Sequence, residues 1–123
     1  MQIEVGTSAT VRLVVGDDDT AIALGSGDVP VLGTPRIVAL MEQAAVATLA
    51  GSLDDGMTSV GTRISVDHLA ASLVGAVVTA SAKVVALDGR AVSFRLTVDE
   101  GDRQVAIGDH VRFVVDRNQF LNL

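Results

Sequence analysis

The chain has 123 residues, 49% of them hydrophobic and 2% aromatic, with a net charge of −6. That length suits a single domain over residues 1–123, the apolar share excludes intrinsic disorder, and the scarcity of rings leaves a core of Val, Ala, Leu and Ile. The absence of cysteine excludes disulfides and thiol catalysis; an acidic balance, scattered basic residues and no Trp or Tyr argue against nucleic-acid binding.

The N-terminal "MQIEVG" has neither part of a signal peptide. No apolar run approaches the roughly 18 residues of a membrane-spanning helix. The expectation is a cytoplasmic protein with no membrane partner. Residues 4–15, "EVGTSATVRLVV", alternate as a strand, with Val5, Ala9, Val11, Leu13 and Val15 toward the core. Residues 16–33 are rich in Gly and Asp, include Pro30, and read as a long loop of the kind used as a lid or binding loop.

A helix follows. Thr34 suits the N-cap, Pro35 the first helical position, and Gly51 the stop after "RIVALMEQAAVATLA". Apolar residues point in nearly every direction, which predicts burial on most sides, with Arg36 and Gln43 marking a polar stripe. Glu42 lies outside that stripe, in a row with Val38, Ala39, Ala45, Val46 and Leu49.

The remainder reads as four strands. "SVGTRISVDH" alternates, placing Val60, Thr62, Ile64, Val66 and His68 on one face. "AVVTASAKVVAL" and "AVSFRLTV" are joined by Asp88-Gly89, a hairpin signal. The last strand, "RQVAIGDHVRFVV", contains Gly108, where a bulge is expected. His110 and Arg112 fall on its polar face and read as surface residues. One strand, a helix and four strands linked by tight turns make an α+β fold with one antiparallel sheet curling around the helix; its open edges predict pairing with another subunit.

The chemistry resides in few residues. No P-loop is present, and two histidines without cysteine give no zinc pattern, so no metal and no cofactor are expected. A histidine with a carboxylate is the minimal general-base pair, and a hydroxyl can join it. With His68, Glu42 and Thr34, the nucleophile is Glu42 (through an anhydride), Thr34, or a water activated by His68, three routes that stay open. Each has a simpler role open to it, Thr34 as a cap, Glu42 as a solvated edge, His68 as a strand end. Thr34 and Glu42 stand eight residues apart, about 12 Å along a helix, so they cannot touch within one chain.

"TPRIVALMEQAA", "VGTRISVDHLAASLVGAVVTASAKV", the Asp88-Gly89 turn and "DHVRFVVD" together resemble the fluoroacetyl-CoA thioesterase-like family of the hot-dog superfamily over roughly residues 30–117. The resemblance implies a long helix wrapped by a curved antiparallel sheet of about five strands. It implies a homodimer hydrolysing a short or medium acyl-CoA, and leaves open whether two dimers stack into a tetramer. It implies Thr34, Glu42 and His68 as the catalytic set at a dimer interface, with Gly61 near the thioester and Arg112 near the active site. Coenzyme A enters only as part of the substrate. "GSGDVPVLG" lacks the aromatic lid of the fluoroacetate-specific member, so selectivity for a fluorinated acyl group is not implied. A hydratase or dehydratase of the same fold, liberating no thiol, and a non-catalytic acyl-CoA binding module are the alternatives.

Overall fold

The structure, a computed structural model, describes residues 2–123. Five strands, β1 (Ser8–Val14), β2 (Met57–His68), β3 (Val77–Asp88), β4 (Ala91–Glu100) and β5 (Arg103–Asp116), form one sheet with three helices, α1 (Ala21–Leu24), α2 (Thr34–Leu49) and α3 (Arg117–Leu121). All strand pairs are antiparallel, in the order β1-β3-β4-β5-β2. This is the α+β hot-dog arrangement: one long helix embraced by a curved sheet. No helix among the described residues is long and apolar enough to cross a membrane.

Helix formers dominate α2. Pro35 lies in its first turn, and Gly51, at φ +80°, takes the left-handed conformation that ends it. Ile37, Leu40, Met41, Ala44, Ala45, Thr48 and Leu49 are buried. They pack on β1 and β3, with fewer contacts to β4, within a core that includes Val78, Ala80, Ala82 and Val84 of β3 and Val92, Phe94, Leu96 and Val98 of β4. Each such Val, Leu or Ile contributes roughly 1.5–3 kcal/mol by leaving water. Burial on most sides is not reached within one chain. Ala39, Gln43 and Val46 stay exposed, because only five strands are available and β2 covers little of the helix.

The segment 16–33 is more structured than its composition suggests. Asp17–Asp19 form a 3-10 turn, and the Thr20 hydroxyl caps α1 by accepting from the Ala23 amide at 3.2 Å. Leu32 is buried. Gly33 is the N-cap of α2, where a side chain would press on Leu24 and on the Ala21 backbone, so only glycine lets α1 approach the helix start. In β1 the alternation holds for Ala9, Val11, Leu13 and Val15, but Val5 precedes the strand and is 61% exposed.

The hairpin joining β3 and β4 pairs Asp88 with Ala91, so its two loop residues are Gly89 and Arg90, one position later than the Asp-Gly signal implied. Gly89 has φ +59°, and a glycine in the first loop position is what a type II′ turn requires. No bulge occurs at Gly108. The sheet's irregularities lie at Gly61/Arg63, Val84/Ala86 and Val98/Asp99. Gly108 is needed for space instead, since a Cβ there would collide with the Ser65 carbonyl oxygen. Neither paired backbone yields readily, so Gly108→Ala is expected to cost about 1–3 kcal/mol in urea unfolding at unchanged m-value.

The bulge in β2 reverses the expected facing. Gly61 pairs with Arg112 and Arg63 with Val111, leaving Thr62 as the extra residue. Parity therefore flips: Ile64, Val66 and His68 share the helix-facing side with Gly61, whereas Val60, opposite Phe113, lies on the outer side. His110 and Arg112 are not surface residues. They are 2% and 7% exposed and lie on the same side as Val114 and Ala106. Register with β4, which sets His110 opposite Phe94 and Ala106 opposite Val98, turns the even positions of β5 inward. From Ile107 to Val115 the more apolar odd positions, Phe113 among them, lie on the outer side, while Val105, at the Val98/Asp99 irregularity, is buried in the core.

Candidate active site

Two clusters of polar side chains emerge. The first joins the start of α2 to the end of β2. Leu32 donates its amide to the Ser72 carbonyl at 2.9 Å, and Val31 bridges Leu73, which draws the helix start toward the chain just beyond His68. Thr34 Oγ1 lies 2.7 Å from Nδ1 of His68. Thr34 makes no capping hydrogen bond; it is the first helical residue, and its hydroxyl is spent on the histidine. Nε2 of His68 is buried with no hydrogen-bond partner among the described residues. Pro35 lacks an amide proton, and the Arg36 and Ile37 amides both donate to the Gly33 carbonyl. The helix start thus offers fewer free N–H groups than an uncapped first turn would.

The second cluster surrounds Glu42. Its Oε2 is 3.7 Å from Nη1 of Arg112, and a Cβ at Gly61 would meet that oxygen at 3.1 Å, His110 Cε1 at 3.2 Å and Arg112 Nη1 at 3.4 Å. Gly61 is the space in which these groups converge. Arg112 donates from Nε to Ser59 Oγ at 2.8 Å and from Nη2 to the Ser59 carbonyl at 3.1 Å. Ala39, Glu42, Gln43, Val46, Ala47 and Arg112 line an open groove of about 470 Å³. The Glu42 side chain is 40% exposed there, while that of Arg112 is 8% exposed. The structure therefore brings Thr34 to His68, and Glu42 to Gly61 and Arg112; neither Thr34 nor His68 lines the groove. No group of three or more His, Asp or Glu among the described residues is placed to hold a metal.

Burial pushes the His110 ring below its ordinary 6.5, with Arg112 acting in the same direction against the Arg63 carbonyl and Glu42. Burial likewise lowers Arg112, opposed by Glu42. For His110 the folded chain resists a proton that the unfolded chain accepts. Its contribution to stability is thus whole above pH 6.5 and is lost as pH falls toward the depressed folded value. Urea unfolding is expected to show lower stability about one pH unit below 6.5 than at neutrality, and His110→Gln to flatten that slope.

A family model described as fluoroacetyl-CoA-specific thioesterase, FlK, matches residues 15–118. The chain belongs to the FlK family. The fluoroacetyl-CoA thioesterase of Streptantibioticus cattleyicolor is 37% identical over 90 residues, 73% of this chain and 65% of that protein's length. A crystal structure of FlK superposes with a TM-score of 0.90 at 32% identity, covering 98% of this chain and 93% of FlK. An FlK variant in complex with fluoroacetate and CoA superposes at 0.88 and 33% identity, covering 95% and 98%. A hot-dog-like protein from Thermanaerovibrio acidaminovorans reaches 0.86 at 29% identity, covering 94% and 86%.

Within this FlK-family chain, the segment ahead of α2 presents Ile22, Leu24 and Val29 to solvent, aliphatic groups where an aromatic lid could have stood. Ser59 and His110 are the polar neighbours that sequence reasoning missed as parts of the site. The signal for His110 was its shared parity with Arg112, Ala106 and Val114, outweighed by the stronger apolar character of the odd positions.

Proposed function

We propose that the protein is a cytoplasmic acyl-CoA thioesterase that cleaves a short or medium acyl-CoA to the free acid and CoA without a cofactor, working as a homodimer. The carrying observation is the 2.7 Å contact between Thr34 Oγ1 and Nδ1 of His68, a hydroxyl and a base in hydrogen-bond reach. Family membership supports the reaction class. Thr34, Glu42 and His68 are the catalytic residues, and Gly61 and Arg112 bind the substrate beside Glu42.

In the reaction, Nδ1 of His68 receives the proton of the nucleophile by way of Thr34. Where the Thr34 oxygen itself attacks the thioester carbonyl, the C–S bond breaks, the CoA thiolate takes the proton back, and water then cleaves the acyl-threonine ester. Where Thr34 holds a water, that water attacks and the acid is released in one stage. Mass spectrometry of quenched enzyme separates the two by an acylated Thr34.

Glu42 of one copy completes the Thr34–His68 pair of the other. Two features support this: about 12 Å of helix between Thr34 and Glu42, and a Glu42 carboxylate directed into an open groove. Thiol release from a panel of acyl-CoA thioesters, fluoroacetyl-CoA included, tests the activity; a panel in which none is cleaved overturns it.

A further inference from the structure

The guanidinium of Arg112 carries five N–H groups, and three are committed inside the chain. Nε and Nη2 donate to Ser59, and Nη1 donates to Nε2 of His110 at 3.1 Å. The separation of 3.7 Å from Nη1 to Glu42 is an ion pair but too long for a hydrogen bond. Arg112 is thus held by Ser59 and His110, and the carboxylate beside it is left unbound.

The tautomer of His110 follows from its partners. An arginine can only donate, so Nε2 must be the bare, accepting nitrogen. Nδ1 lies 2.7 Å from the Arg63 carbonyl, which can only accept, so Nδ1 carries the proton. The ring is neutral, 2% exposed, and packs on Phe94 at 5.9 Å between centroids. Its anchor, Arg63, is the residue just after the β2 bulge.

We infer that His110 is a positioning residue: its neutral Nδ1–H ring, fixed on the Arg63 carbonyl, restrains Nη1 of Arg112 from closing onto Glu42 and leaves one N–H each on Nη1 and Nη2 for the groove. This rests on the reading of that groove as the thioester site. Without the acceptor at Nε2, the guanidinium is free to form a direct hydrogen-bonded pair with Glu42, occupying both groups.

His110→Phe keeps the ring and its packing on Phe94 but removes both polar atoms. With acetyl-CoA, or the most rapidly cleaved member of the panel, kcat is expected to fall about tenfold or more while KM stays within about threefold, as misplacement of a charged group predicts. His110→Gln, whose amide oxygen can reach the Nε2 position, should recover most of that loss. In an Arg112→Lys background His110→Phe should add little, since the two substitutions act through one contact. An unchanged kcat in His110→Phe, or the same loss in the lysine background, overturns the inference. If the phenylalanine variant does not fold, His110→Gln is compared with His110→Asn, whose shorter amide cannot reach Arg112; equal activity of those two overturns it. Nitrogen NMR of the wild-type ring at neutral pH should show the Nδ1–H tautomer, and the Nε2–H form or an imidazolium overturns the inference. That readout stands even if no thioester is cleaved, which keeps failure of the functional reading separate.

Discussion

Replacing His68 with alanine is expected to lower kcat for acyl-CoA hydrolysis by about three orders of magnitude, within the range for loss of a general base. In the proposed mechanism Nδ1 of His68 accepts the Thr34 proton across their 2.7 Å contact, so its removal leaves that hydroxyl at its ordinary, very weak acidity. KM should change little, because the ring contacts Thr34 and the proposed mechanism gives it no part in holding the bulk of the CoA. The fold should survive: His68 is the last residue of β2 and only partly buried, and its backbone pairing with Ala106 does not depend on the side chain. Thr34→Ser, which keeps the hydroxyl, should retain more activity than Thr34→Ala. A His68→Ala enzyme within about tenfold of wild type would remove the histidine from acid–base work.

Glu42→Ala is expected to cost about two to three orders of magnitude in kcat, again on the scale of a lost acid–base group. It should cost little stability, since the side chain is 40% exposed, alanine favours helix, and Arg112 remains held by Ser59 and His110. The decisive form of the experiment mixes this variant with His68→Ala after dissociation and reassociation. If each site combines Glu42 of one copy with His68 of the other, a mixed dimer holds one intact site and one doubly altered site. About a quarter of wild-type activity should then return, half of the dimers being mixed and each half active. If both residues act from the same chain, every site in the mixture lacks one of them and no activity returns, which would defeat the shared site.

The two substitutions also probe different parts of the fold. His68 depends on the link between Leu32 and Ser72 that draws the helix start toward the end of β2. Glu42 depends on the bulge that clears space at Gly61 and on the inward parity of β5. Weakening either support should affect its own cluster first. Gly108→Ala, which strains the β2–β5 pairing between the two, should affect both through stability.

Much of the fold was legible in the sequence because it is local. Helix formers over residues 34–49 with Pro35 and Gly51 at the ends, the period-two pattern of the strands, and glycine at the hairpin turns are each decided by neighbours in the chain. Glu42 and His68 could be named because each stands among apolar residues in its helix row or strand pattern, and Thr34 because it offers a hydroxyl at the helix start; the family resemblance joined the three.

What only the tertiary structure decided is the set of facts that depend on register and on space. A single inserted residue at Thr62 reverses every later side chain of β2, and no propensity within "VGTRIS" announces it. His110 and Arg112 lie inward because β4 pairs with β5 at Phe94 and Ala106, although the apolar residues of β5 favour the other side. The hydroxyl of Thr34 could have capped its own helix. It reaches His68 instead because a segment that read as loop folds back and ties the helix start to the chain after β2. Local chemistry chose the residues; the pairing of distant strands chose which of them meet.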